Sequence, residues 1–197
     1  MFRLTFIFVL TFIISCQSKA QPNEETLIRL KQKALIAKKY SAKNRLNNKF
    51  CVLIDMKIHS GKKRFFLWDL KGDSILRSGL CSHGICDNKD DNTGYASKFS
   101  NVPESHCSSL GKYKIGKRGW SSFGIHVNYK LHGLEQSNDK AYQRSIVFHS
   151  WGIPDEETYP FGIAQSWGCP AVSNNFMREM DTVLKAEKKP VLMWVYN

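Results

Sequence analysis

Across residues 23–43 apolar side chains return at helical intervals, Leu27, Leu30, Ala34 and Leu35, with lysines and Arg29 on the remaining face. That pattern predicts an amphipathic helix docked on a larger body, and the same pattern also suits a helix lying on a membrane surface. Asn23 can cap it, and Glu24 and Glu25 suit its positive first turn. After Asn48 the period changes to that of strands. Residues 50–58, 64–69 and 74–80 are rich in Val, Ile, Leu, Phe and Trp and are separated by short Gly-containing connections at 59–63 and 71–73. They read as an antiparallel meander. Further strands are expected at 111–115, 125–129, 145–149 and 191–196. A second helix starts at Ser173 as N-cap, carries the stripe Phe176, Met177, Met180, Val183 and Leu184, and ends before Pro190. The elements give a mainly β, α+β domain.

The N-terminus follows a different rule. Arg3 precedes an apolar or hydroxyl run over residues 4–14, too short to span a bilayer as a helix, so residues 1–20 read as a secretory signal peptide. Ile13-Ile14-Ser15-Cys16 looks like a lipobox, which makes Cys16 the lipidation site and favours cleavage before it; Ser18-Lys19-Ala20 offers ordinary cleavage after Ala20 instead. The chain then divides into this signal, an N-terminal helix and linker over 21–48, and a catalytic domain over 49–197. An exported protein of the periplasm or cell envelope, held at the membrane by a lipid anchor, is the expectation.

Export changes how cysteine and charge are read. Of six cysteines, Cys51, Cys81, Cys86 and Cys107 can form disulfides in an oxidising compartment, leaving Cys169 unpaired. A Cys81–Cys86 bridge, or one that uses Cys107, is the sharper structural expectation. A zinc site built from these cysteines with His83 and His106 ranks below it, because the spacing fits no common zinc template. Twenty-nine Lys and Arg against 17 Asp and Glu give a net charge of +12. Outside the cytoplasm such a surface suits wall polymers and anionic membranes rather than nucleic acid. Nothing points to an oligomer, a metal or an organic cofactor.

The chemistry concentrates near the C-terminus. His149-Ser150 is followed, after sixteen residues counted from His149, by Ser166-Trp167-Gly168-Cys169-Pro170. A cysteine in a glycine turn with a histidine in folding reach has the parts of an acyl-transfer centre, a nucleophile and a proton carrier. Cys169 lies four residues before the Ser173 cap, near the positive end of the second helix, where a thiolate is favoured. Taken singly, Cys169 is more often a small buried residue and His149 a satisfied core histidine. Their joint spacing reverses that. Gly168 and Cys169 N–H groups are candidate oxyanion donors, with Ser166 in the supporting turn, and Ser150 or a backbone carbonyl can orient the imidazole. Trp120, Trp151 and Trp167 read as core or rim packing, with sugar stacking as the alternative. Residues 153–161, between the two catalytic candidates, read either as a lid or as a solvated connection.

His149, the sixteen-residue spacer and Ser166-Trp167-Gly168-Cys169 resemble the L,D-transpeptidase (YkuD-type) signature of a histidine followed by Ser/Thr-His-Gly-Cys. The tryptophan and Pro170-Ala171 are more similar to the branch known as the murein L,D-transpeptidase catalytic domain family. Further segments similar to that branch are Ser60-Gly61-Lys62-Lys63-Arg64, His83-Gly84, Phe99-Ser100-Asn101, Ser108-Ser109-Leu110-Gly111, His132-Gly133-Leu134-Glu135 and residues 144–149. Together they span about residues 40–197.

The resemblance implies an L,D-transpeptidase-like β-sandwich acting on peptidoglycan stem peptides. A donor tetrapeptide is cleaved after its third residue, D-alanine leaves, and the acyl group passes to an amine or, in an L,D-carboxypeptidase, to water. Cys169 is the nucleophile and His149 the acid and base. Trp167 stands where the common signature has histidine, and Pro170-Ala171 where a polar or basic residue is frequent, so substrate carboxylates must be held by other residues, with His132, Arg144 and Lys130 as candidates; Trp167 and His83 are further substrate-binding candidates. A non-catalytic cell-wall-binding lipoprotein that retains the fold is the alternative. A papain-like peptidase is disfavoured, since there the cysteine precedes the histidine.

Overall fold

The computed structural model describes residues 22–86 and 93–197; the signal segment and Cys16 lie outside the described residues. Its elements are α1 (Glu24–Lys43), β1 (Phe50–Asp55), β2 (Phe65–Asp69), β3 (Ser74–Gly79), β4 (Gly111–Trp120), β5 (Val127–Gly133), β6 (Val147–Ser150), β7 (Ala171–Val172), α2 (Asn174–Lys185) and β8 (Leu192–Tyr196). The eight strands form one sheet in the order β3-β2-β1-β8-β4-β5-β6-β7. Most neighbours are antiparallel; β1 with β8 and β6 with β7 are parallel.

The sheet folds over on itself. Phe65 of β2 stacks on Phe148 of β6 with ring centroids 5.2 Å apart, although four strands separate β2 from β6 in the sheet order. The two halves therefore face each other across one core, and the expected sandwich is a single bent sheet. Val52, Ile54, Tyr113, Leu131, Met193 and Val195 fill that core, and α2 closes it with Phe176, Met177, Met180 and Leu184. Beyond β3 the chain crosses back beside β7, where the Ser82 N–H donates to the Ala171 carbonyl at 2.9 Å.

The opposite face of β2-β1-β8 is covered by α1. Leu30, Ala34 and Ala37 pack on Cys51, Leu53, Phe66, Trp68 and Trp194. Alternation along β1 thus sends every second side chain into one of two apolar layers, and all six of its residues are buried. Asn23 caps α1 by accepting the Thr26 N–H at 3.0 Å. One member of the expected stripe is misplaced: Leu35 faces solvent, and Ala37 takes the buried position.

Several strands differ from the pattern, and β6, expected over 145–149, runs Val147–Ser150. β1 ends at Asp55, because the next residues turn toward the buried Arg64. β4 runs on to Trp120 through a register break between Ile115 and Arg118, which its charged sequence hides. β5 starts at Val127 and runs on to Gly133. β7 has only two residues, too short to leave a period, and owes its place to pairing with β6.

Candidate functional site

β6 and β7 bring the two chemical residues together. His149 pairs with Ala171 and Ser150 with Val172 in parallel register, so Cys169, two residues before Ala171, comes level with Val147. The Val147 N–H donates to the Cys169 Sγ at 3.4 Å. Phe148 points into the core, so His149 and Val147, one residue to either side, share the outer face of the sheet. Cys169 is half-buried and His149 buried, with the Phe123 ring of the β4–β5 turn 5.6 Å from the imidazole.

The histidine's tautomer follows from its partner. Nδ1 lies 2.9 Å from the Ser150 carbonyl, which can only accept, so Nδ1 carries the hydrogen and Nε2 presents its lone pair. Burial holds the His149 pKa below the ordinary 6.5, against the opposing pull of that hydrogen bond. The ring is neutral at neutral pH. Ser150 supports it twice, since its Oγ also accepts the Ile125 N–H at 3.0 Å and fixes the turn that carries Phe123.

The thiol differs from the sequence expectation. Burial pushes the Cys169 pKa above the ordinary 9.0, although the Val147 N–H and the charges of Arg144 and Lys130 pull it down. β7 stands between Cys169 and the α2 cap, and the helix end does not make this a standing thiolate. A protonated thiol, whose hydrogen is directed at the Ser145 carbonyl 4.0 Å away, needs a base to take the proton as a bond to carbon forms.

The glycine turn is held from several sides. Gly168 has φ +102°, and a Cβ there would stand 2.5 Å from the Cys107 carbonyl oxygen, so no other residue fits. Its N–H donates to Ser166 Oγ at 3.2 Å, and the Ser166 hydroxyl donates to the Cys169 carbonyl at 2.6 Å. Gly168 therefore has no spare donor for an oxyanion, correcting that expectation. The Cys169 N–H, by contrast, meets no acceptor among the described residues. Ser82 also donates to the Cys169 carbonyl, at 3.2 Å, and Ser108 to the Gly168 carbonyl, at 3.4 Å.

The remaining candidates separate. Arg144 donates to Ser100 O, Ser109 Oγ, Ser105 Oγ and Cys107 O, so it clamps the neighbouring loop and offers the site its charge rather than its hydrogen bonds. His83 is buried between Arg64, 2.8 Å from its Nδ1, and Gln165, 3.2 Å from its Nε2, a packing role rather than an open contact. Trp167 is 72% exposed beside His106, and Trp120 is 74% exposed on His126, so both are rim residues and neither is core. His132 stacks on Tyr142 at 5.1 Å. Lys130 pairs with Val147 across β5 and β6, one strand from the sulfur.

The disulfide joins Cys86 to Cys107; Cys51 and Cys81 are free and buried in the two apolar layers. The Cys81–Cys86 bridge is not formed, since Cys81 faces the core and donates to its neighbour's carbonyl. No three His, Cys, Asp or Glu side chains among the described residues gather as a metal would need. The 153–161 loop is docked: Glu157 accepts the Lys63 N–H at 2.9 Å, the Thr158 and Tyr159 N–H groups donate to Gly61 O, and Asp155 bonds to Ser173 and Asn175.

Sequence reasoning missed the supporting roles of four residues. Arg64, fully buried, bonds Cys81 O, Ile58 O and His83, and its pKa is lowered to about 10, so it remains a cation. Ser82 carried no signal, and Ser108 only that of a motif member. Asn128, opposite His149 on β5, donates to Trp120 O at 2.5 Å and keeps a buried Oδ1 without a partner. A cavity of about 730 Å³ lies between the start of α1, Lys57 and Tyr159, and neither His149 nor Cys169 lines it.

The folded-over sheet thus carries a neutral imidazole on β6 and, just before β7, a thiol that packs against the core. The chain belongs to the family described as L,D-transpeptidase catalytic domain, which matches residues 22–196 and so takes in α1 as well as the sheet. Among solved structures it is similar to the helical cell shape determining protein Pgp2 from Campylobacter jejuni, at 16% identity and TM-score 0.44, over 75% of this chain and 47% of that one. The K307A mutant is the form so compared; Pgp2 without that substitution gives 15% identity and the same TM-score. An L,D-transpeptidase from Xylanimonas cellulosilytica is similar at 12% identity and TM-score 0.37, over 80% of this chain and 68% of that one. This chain thus spans about half the length of Pgp2. No curated protein matches it.

Proposed function

We propose that the protein is a cysteine acyl transferase of the cell envelope that cleaves a peptidoglycan donor tetrapeptide after its third residue. Cys169 Sγ attacks that residue's carbonyl carbon while its proton passes to His149 Nε2. The tetrahedral oxygen lies at the Cys169 N–H. Collapse breaks the amide, the D-alanine nitrogen takes the proton from Nε2, and a thioester remains on Cys169. An incoming amine, or water, gives its proton to Nε2 as it attacks, and the sulfur leaves as thiolate and recovers the proton. With an amine the outcome is L,D-transpeptidation; with water it is L,D-carboxypeptidation.

The observation that carries this reading is the His149 Nδ1 bond to the Ser150 carbonyl, which leaves a bare Nε2 on the face that holds Cys169. Mass spectrometry of tetrapeptide muropeptides incubated with the protein should show D-alanine release, and Cys169→Ala should abolish it. Absence of both release and cross-linked product, with Cys169 confirmed reduced, would leave a non-catalytic wall-binding protein. The exported, lipid-anchored location rests on the Cys16 motif. Labelling with a palmitate analogue, lost in Cys16→Ala, tests it.

A further inference from the structure

A cleft of about 570 Å³ opens where β4 and β5 lose register between Ile115 and Arg118, walled on its far side by the end of α2 and the turn into β8. Lys114, Lys117, Lys130, Lys188 and Lys189 line it together with His132. The acidic lining residue, Glu187, already accepts from Asn47 at 2.8 Å and pairs with Lys49 at 3.0 Å, so its charge is met from outside the cleft. Five ammonium groups around one concave space repel one another, and an anion relieves that repulsion.

One residue links the cleft to the sulfur of Cys169. Lys130 lines the cleft, and its charge also acts on the Cys169 thiol. It pairs with Val147, whose N–H reaches that sulfur, so one strand separates cleft from thiol, a distance of about 5 Å per strand. A chain that crosses β6 at Cys169 toward β5 would meet Lys130, the cross-strand partner of Val147. His132 is held toward its neutral form by burial and by Lys114, and it stacks on Tyr142, so it stands as a hydrogen-bonding wall among fixed charges.

We propose that this cleft is a carboxylate-binding subsite, which receives the free carboxylates of the stem peptide while its scissile carbonyl sits at Cys169. The inference rests on the acyl-transferase reading above and adds where the substrate's charge is held. Arg144, whose hydrogen bonds are spent on the adjoining loop, cannot take that task. Lys188 and Lys189, exposed at the far wall, select substrates by charge without touching the thiol.

The test uses the full-length protein carrying Cys169→Ala and titrates two synthetic tetrapeptide stems, one with free carboxylates and one with the same carboxylates converted to amides. Calorimetry at low ionic strength should show the free-acid stem binding about tenfold tighter, and 0.5 M salt should erase most of that difference. Adding Lys188→Gln with Lys189→Gln should reduce the preference to about twofold or less, while Lys38→Gln, on α1, leaves it intact. Equal affinity for the two stems overturns the inference, as does a preference unchanged by the double substitution. Tight binding of poly(glycerol phosphate) that displaces the free-acid stem without any acid-over-amide preference also overturns it. Turnover of tetrapeptide muropeptides by the unsubstituted protein is measured in parallel. Turnover without a carboxylate preference sinks the cleft alone, and a preference without turnover sinks the enzyme reading alone.

Discussion

His149 donates through Nδ1 and is pushed toward its neutral form by burial, which sets a pH signature. In the proposed mechanism the base is the unprotonated ring, and its pKa lies below 6.5, so the acid limb of kcat/KM should fall at a pH below that of an ordinary histidine. The same depression has a stability consequence. The unfolded ring protonates near 6.5 and the folded ring only below that, so this contribution is complete above 6.5 and is lost as pH falls through the folded value. A pH–rate profile and imidazole nitrogen shifts by NMR check both limbs. Gly168→Ala tests the turn: with φ +102° and the Cys107 carbonyl 2.5 Å from the new methyl, it should cost about 2 kcal/mol or more and remove activity. Urea unfolding and the muropeptide assay read the two effects.

Elements are joined by a few polar ties that span layers. Asp181 of α2 receives the Arg118 guanidinium of β4 through Nε at 2.7 Å and Nη2 at 3.1 Å, and the Tyr129 hydroxyl of β5 at 2.7 Å. Arg118 holds the carboxyl below the usual aspartate range, so this tie is intact above pH 4 and weakens as pH falls further. Arg118 is half-exposed and solvent screens its share. Losing the carboxylate also leaves the Tyr129 hydroxyl unpaired, and Asp181→Ala should cost about 2 kcal/mol in urea unfolding. The Cys86–Cys107 bridge closes a segment with a sequence separation of 21, and Cys86→Ser with Cys107→Ser should cost about 3 kcal/mol by the same measurement.

At the scale of the molecule, α1 is part of the fold. Without it Leu53, Phe66, Trp68 and Trp194 form an uncovered apolar sheet face, and a chain of residues 49–197 should aggregate or bind a hydrophobic dye that the longer chain does not. The sequence made both helices legible because each carries an apolar stripe and a capping side chain. Most strands were legible from alternation, and His149 with Cys169 from spacing. Leu35 was misread because Ala37 is small enough to be overlooked as a core residue. β7 and the extension of β4 were hidden because their places depend on partners distant in sequence. Ser82, Ser108 and Arg64 matter through bonds across 60 or more residues in the first two cases, and through complete burial of a charge in the third. Local pattern records neither.

The carbonyl that Gly168 must clear belongs to Cys107, and Cys107 is itself half of the disulfide. Two sulfur chemistries therefore meet at one turn: the proposed mechanism needs Cys169 reduced, whereas the Cys86–Cys107 bond that ties the loop behind it needs both partners oxidised. A reductant added to protect the nucleophile also dismantles its backing. Activity plotted against dithiothreitol concentration should rise and then fall, and Cys86→Ser with Cys107→Ser should lose the falling branch.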